Sequence, residues 1–276
     1  FSLAPLHRFR TRLEARGVRD LSEVPAADLP TEIRPLAATL NSLLARLRDA
    51  FEAERSFAAN AAHELRTPLA GAIAQAQRLR SETKDPTIDA RAAEIEATLK
   101  RLARLSERLL QLARAEGGRL RMDQSADVRT ITRVVVEDIA RSTENGRLML
   151  NLPDTPVLSD IDPDALGILC RNLVENALRH GAQNAPVEVT LTSDGQLIVA
   201  NEGPAVATQT LERLTGRFER ADAKTDGSGL GLAIVSAIAE RIETSLLLQS
   251  PRPGETSGFQ ASVRLPTDAP NAHVKD

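Results

Sequence analysis

The stretch Ala61-Ala62-His63-Glu64-Leu65-Arg66-Thr67-Pro68-Leu69 decides how the chain is read, because a seven-residue apolar period runs into it and breaks there. Upstream, Leu36, Leu40, Leu43, Leu47, Ala50, Glu54, Phe57 and Ala61 alternate steps of four and three. That is a heptad seam with one polar member, and it implies a helical partner. Downstream the seam runs on as Leu65, Leu69, Ala72, Ala76 and Leu79, so two successive steps of four interrupt the heptad. Pro68 lies inside the interruption. Proline within a helix removes a backbone hydrogen bond and kinks the rod, so a bend is expected at that point. The polar residues Ser81 to Pro86 predict a hairpin loop. A second long helix follows, with Ile88, Ala92, Ile95, Leu99, Leu102, Leu105, Leu109 and Leu112 on one side, and stops at Gly117-Gly118. Two antiparallel helices sharing one apolar seam would close into a four-helix bundle as a homodimer.

Working outward, residues 1–53 read as helix, connector, helix. The first helix spans about Pro5 to Arg16, the connector Gly17 to Pro30, and the second helix opens near Thr31 with Glu32 in its first turn. Beyond Gly118 the periodicity changes. Helices are expected at Val128 to Ser142, Pro163 to His180 and Leu230 to Arg241; strands at Leu148 to Leu152, Val187 to Thr192, Gln196 to Ala200, Leu246 to Gln249 and Phe259 to Leu265. Helices between mostly sequential strands suggest a two-layer α/β sandwich, giving an overall class of α plus α/β. The expected divisions are 1–53, 54–118, 119–267 and a disordered tail, 268–276.

Composition excludes several classes. Lys and Arg number 35 against 38 Asp and Glu, a net charge of -3 without a basic field, so nucleic acid is not the expected partner. Cys170 is the one cysteine, which rules out an internal disulfide and a cysteine-rich metal site; on its apolar helix face it reads as a buried small hydrophobe. No apolar run reaches the roughly 18 residues that span a bilayer, and no signal peptide is visible. The start at Phe1, without Met, fits a piece of a longer protein. Arg8, Arg10, Arg12 and Arg16 form either a solvated helix face or the cytoplasmic flank of an upstream membrane span.

Four segments carry chemistry. At about 100° per residue His63 lies roughly 200° from the seam residue Ala61, so it faces solvent beside Glu64, with Thr67 one turn away. A carboxylate that orients an exposed imidazole and takes its proton makes it a nucleophile; a plain surface histidine is the alternative. Asn172, Asn176, Arg179 and His180 share a helix face. Amide oxygens suit Mg²⁺ and Arg179 suits phosphate, although a polar face covering a loop would look the same. Asp226-Gly227-Ser228-Gly229-Leu230-Gly231 directly precedes a helix, whose free N–H groups attract anions. It is neither a P-loop nor a dinucleotide fingerprint. Asn201-Glu202-Gly203-Pro204 follows a strand and is either a turn or part of the same site.

In this order the segments resemble the cytoplasmic part of a bacterial sensor histidine kinase. His63, Glu64, Thr67 and Pro68 match the phosphoacceptor motif His-Glu-x-x-Thr-Pro in full; Asn172 and Asn176 match the asparagine box; Gly227, Gly229 and Gly231 match the glycine-rich box. Residues 1–53 are similar to a HAMP linker, with Pro5 in the first helix and Glu32 opening the second. The resemblance implies that ATP phosphorylates His63, that Glu64 is the base, and that Thr67 positions water when the enzyme dephosphorylates its response regulator. It implies Mg²⁺ on Asn176 with Asn172 nearby, Arg179 and His180 towards the phosphates, and Gly227, Ser228, Gly229, Leu230 and Gly231 capping the phosphate tail. The segment Ala205 to Asp226 would be a mobile lid flanked by Phe218.

The family's adenine-contacting Asp-x-Gly-x-Gly is here Asn201, Gly203 and Ala205. Losing the charge weakens the adenine contact by about 1 kcal/mol, near fivefold in affinity. The implied protein is a homodimer that passes phosphate to a receiver-domain aspartate, as the cytoplasmic portion of an inner-membrane protein anchored upstream of residue 1. A phosphatase-dominant enzyme and a catalytically weak dimeric scaffold are the alternatives.

Overall fold

The computed structural model describes Val24 and residues 34–117, 120–143, 146–219 and 228–267, with residues 51, 52 and 54–63 at the level of the backbone. The chain divides into two compact units, residues 1–60 and 61–276. Helix α1, Arg34–Glu82, begins in the first unit. There the Asn41 side chain holds the Val24 backbone from both sides, accepting from its N–H at 2.8 Å and donating to its carbonyl at 3.0 Å, and Ala37 is fully buried. The helix expected over 5–16, its connector, the opening at Thr31 and Glu32, and the tail 268–276 lie outside the described residues.

In the second unit α1 stays helical through Pro68, so the proline costs one backbone hydrogen bond without ending the element. The hairpin loop is shorter than the polar stretch predicted. Helix α1 continues through Ser81 and Glu82, because Arg78 pairs with Glu82 at 2.7 Å and the Ser81 hydroxyl donates to the Arg78 carbonyl at 2.8 Å. Only Thr83 to Asp85 are non-helical. Asp85 then caps α2, Pro86–Gly117, by accepting from the Thr87 N–H at 2.8 Å, with Pro86 at the first helical position. Leu65, Leu79, Ile88, Ile95, Leu102 and Leu109 of the seam are exposed on this chain.

The rest is α/β. The elements are β1 (Arg121–Asp127), α3 (Val128–Ser142), β2 (Leu148–Asn151), β3 (Leu158–Ile161), α4 (Pro163–His180), β4 (Val187–Leu191), β5 (Gln196–Asn201), α5 (Thr208–Arg213), α6 (Gly231–Arg241), β6 (Leu246–Gln249) and β7 (Phe259–Arg264). One sheet has the order β2-β4-β5-β7-β6, with β2 parallel to β4 and the other pairs antiparallel. The parallel pair needs a crossover, and α4 lies within it. Along β4, Val187, Val189 and Leu191 are buried while Glu188 and Thr190 are partly open, so one sheet face is covered. Leu166, Leu169 and Val174 of α4 and Ile234 and Ile238 of α6 join those residues in the core, each contributing about 1.5–3 kcal/mol over exposure.

Strands β1 and β3 pair in a separate two-stranded sheet that the sequence did not predict. Arg121–Asp127 is polar and mostly exposed, with no apolar alternation to read. Its last residue, Asp127, caps α3 by accepting from the Arg129 N–H, and its carboxyl is held below the usual range by the Arg129 guanidinium. Asp162 caps α4 by accepting from the Ala165 N–H at 2.9 Å. This fixes the start of the helix that carries Asn172, Asn176, Arg179 and His180.

Candidate functional site

A cavity of about 780 Å³ opens within the second unit between α2 and α4. Arg101, Arg104, Leu105, Glu107, Arg108 and Gln111 of α2 form one wall; Arg171, Asn172, Glu175 and Arg179 of α4 form the other, with Phe218 and Ser228 beside them. Five arginines against two glutamates leave the lining strongly positive, which suits a polyanion. Arg108 bridges the walls. One terminal nitrogen donates to Asn172 Oδ1 at 3.0 Å and the other to Glu175 Oε2 at 2.8 Å. Burial lowers its pKa, opposed by the Glu175 charge and reinforced by Arg179 and Arg104. Asn172 is buried and its amide nitrogen donates to the Ile168 carbonyl at 2.8 Å, so both ends of its side chain are engaged.

The glycine-rich loop meets this cavity at the start of α6. A Cβ on Gly231 would lie 3.2 Å from the Arg108 guanidinium and 3.4 Å from Asn172 Oδ1. Gly229 has φ +65°, and a Cβ there would come within 2.6 Å of the Phe218 carbonyl carbon. Only glycine fits a left-handed position so close to another backbone. The Phe218 N–H donates to the Gly229 carbonyl at 3.0 Å, which ties Phe218 to the glycine-rich loop. Phe218 itself has φ +64° and a largely exposed ring. The Leu230 side chain is fully buried in the core, so any contact of Leu230 with a phosphate would come from its backbone. Gly227 lies outside the described residues.

These features fit a bound nucleotide. Helix α6 starts with no side-chain cap and no acidic residue in its first turn, leaving its N–H groups to an anion. The Ser228 hydroxyl is buried without a hydrogen-bond partner, beside the cavity it lines. A phosphate oxygen would satisfy both, and the arginines supply the countercharge. Asn176, one turn after Asn172 on α4, is half-buried.

The remaining expected residues form a second cluster. Asn201, buried at the end of β5, donates its amide to the Glu202 carbonyl at 3.0 Å. A Cβ on Gly181 would sit 3.0 Å from Asn201 Cβ, and one on Gly203 would sit 3.6 Å from the His180 carbonyl. Asn201, Gly203 and the end of α4 therefore meet. His180 keeps part of its ring in water, and desolvation of the rest, then the Arg179 charge, lowers its pKa. On α1, Glu64 and Thr67 are exposed and His63 is helical. Arg66, one turn beyond His63, pairs with Glu107 of the cavity wall. Sequence reasoning missed Arg101, Arg104 and Arg108. Their spacing puts them within about 60° of arc on one helix face, but the apolar seam is the stronger pattern on α2.

Comparison with known proteins identifies the family. A model described as "Histidine kinase-, DNA gyrase B-, and HSP90-like ATPase" matches residues 161–269, one described as "His Kinase A (phospho-acceptor) domain" matches 53–118, and one described as "Sensor protein PhoQ-like, HAMP domain" matches 3–49. The α/β half is thus an ATP-binding domain of that ATPase class. Over 98% of its length the chain is 36% identical to "Sensor protein kinase PmrB" of Pseudomonas aeruginosa, spanning 57% of that protein. It is 34% identical over 96% of its length to "Sensor protein BasS" of Escherichia coli K12, spanning 72% of it. The structure of full-length ShkA in complex with AMPPNP is similar in fold, with a TM-score of 0.57 at 24% identity, covering 78% of this chain and 47% of that one. The chain belongs to the sensor histidine kinases, the ATP-dependent protein histidine kinases of two-component systems. Among the described residues no helix is long and apolar enough to cross a membrane.

Proposed function

We propose that the chain autophosphorylates on His63 from Mg-ATP and hands the phosphoryl group to an aspartate on a response-regulator receiver domain. The observation that carries this reading is the cavity. Its arginine-rich wall meets the uncapped start of α6 and the orphaned Ser228 hydroxyl, and its Glu107 is paired with Arg66, one turn from His63. A phosphate bound in the cavity would therefore lie near the helical turn that carries His63.

Bound ATP supplies the electrophilic γ-phosphorus, and Mg²⁺ neutralises charge on the phosphates. A His63 ring nitrogen forms the new N–P bond as the bond to ADP breaks, and Glu64 takes the ring proton. Asn176 holds the cation with Asn172 beside it; Arg179 and His180 face the phosphates. The backbone of residues 227–231 caps the phosphate tail. Asn201 accepts from the adenine amine, with Gly203 giving the base close approach. Phe218 belongs to the 205–226 lid, whose closing excludes water. Thr67 orients water when the phosphorylated regulator is hydrolysed. The working divisions are a HAMP linker over 1–53, a dimerising phosphoacceptor hairpin over 54–118 and the ATP-binding domain over 119–267. The exposed seam leucines and isoleucines are covered by a second copy, and the whole protein is anchored in the inner membrane upstream of residue 1, with this chain in the cytoplasm.

The test is incubation with Mg²⁺ and γ-labelled ATP beside His63→Gln and Asn176→Ala. Acid-labile, base-stable label on the parent and on neither variant is expected. Label persisting on His63→Gln would sink the assignment of the phosphoacceptor.

A further inference from the structure

We propose that the phosphoacceptor hairpin is itself part of the nucleotide site, with Arg104 and Arg108 of α2 binding the triphosphate. This rests on the ATP reading above and extends it to residues outside the ATP-binding domain. Arg101, Arg104 and Arg108 recur at steps of three and four, so α2 turns one cationic face towards the cavity. Arg108 already sits over the start of α6, where a Cβ on Gly231 would be 3.2 Å from its guanidinium. Phosphate bound to the α6 N–H groups would therefore lie within reach of it.

Arg108 is also short of anions. It spends two donors on Asn172 and Glu175, yet Arg104 and Arg179 repel it and burial lowers its pKa. A guanidinium carries five donors in a planar fork, so further donors remain for phosphate oxygens. Arg104 is exposed and borders the same cavity. A second tie joins the elements at the cavity's edge, where Arg217, next to Phe218, pairs with Glu116 in the last turn of α2 at 2.5 Å. A triphosphate held from both walls would clamp the hairpin against the ATP-binding half, and its affinity would depend on the hairpin's arginines.

The experiment is calorimetric titration of the full chain with AMPPNP in Mg²⁺, and with AMP by competition, for the parent, Arg104→Ala, Arg108→Ala and Arg108→Lys. Each alanine variant is expected to bind AMPPNP about tenfold more weakly, as loss of a charge-assisted phosphate contact predicts, with Arg108→Lys in between and AMP affinity unchanged. Arg104 is exposed, so its variant reports on phosphate binding without disturbing the core. Equal losses for AMP and AMPPNP, or unchanged or tighter AMPPNP binding, would overturn the inference and leave α2 as a mere cover. A parent that binds no AMPPNP would instead remove the nucleotide reading on which it stands.

Discussion

Helix α2 carries two enclosed ions of opposite sign about 18 Å apart along its axis, and they are balanced very differently. Near the tip of the hairpin, the Glu96 carboxylate is buried and accepts from Gln77 at 2.9 Å and Arg80 at 2.8 Å, with Lys100 at 2.7 Å. Lys100, then Gln77 and Arg80, hold its pKa down at about 2. At the cavity, the Arg108 guanidinium has one carboxylate and one amide, and its own pKa is lowered by burial and by neighbouring arginines. The first ion is over-compensated and the site is complete. The second is under-compensated and has charge left for a ligand. Burial alone does not separate a structural clamp from a binding site; the sign and number of partners do.

The largest effect expected from this contrast is at Asn172. Replacing it with alanine leaves Arg108 one acceptor short and removes the side-chain donor to the Ile168 carbonyl, which keeps its helix hydrogen bond. Orphaning a buried charged donor costs about 1–3 kcal/mol, or roughly fivefold to just over a hundredfold in the opening equilibrium. Cys170 reports it, since burial pushes its thiol up to about 12 and it is the chain's one cysteine. Thiol-reagent labelling of Cys170 should accelerate by that factor in Asn172→Ala. An acceleration under about twofold would mean that the cavity side is as self-sufficient as the tip.

The intermediate effect is at Glu96. Removing one partner from a buried ion network strands the others, so Glu96→Ala should lower the melting temperature of the hairpin, followed by circular dichroism, by several degrees. Cys170 labelling should stay within about twofold, because the two regions share no partner. The pH dependence has a definite sign. A carboxylate whose folded pKa is depressed contributes stability that is full above its unfolded value, 4.5, and is lost as pH falls towards 2. Melting temperature should therefore decline across that window more in the parent than in Glu96→Gln. An equal decline in both would place the acid sensitivity elsewhere.

The same contrast explains what the sequence could show. Asparagine and glycine spacings marked the α4 face and the α6 start, and the apolar periods set α3 and α4 to the residue, because these signals are local. The β1–β3 sheet was hidden, since Arg121–Asp127 has polar residues where a strand pattern needs apolar ones. Arg108 was hidden for another reason. Its role depends on Asn172 and Glu175, more than sixty residues away, and an arginine on an amphipathic helix looks the same whether it faces solvent or a cavity. The glycine-rich motif is also silent on packing: it does not tell that the Leu230 side chain turns into the core and leaves only backbone for an anion.

The smallest effect is the sharpest control on the argument. Arg78 and Glu82 pair on the same tip at 2.7 Å, as close as Lys100 to Glu96, but with side chains 68% and 62% exposed. If distance set the strength of an ion pair, Arg78→Ala and Glu96→Ala would cost alike. Water screens the exposed pair, and Arg before Glu is the less favourable order along a helix, so the expected loss is at most about 0.5 kcal/mol. Its melting temperature should stay close to the parent's, and added salt should erase what difference there is. A drop equal to that of Glu96→Ala would show that enclosure contributes nothing at the tip, and the contrast with Arg108 would then have to rest on charge count alone.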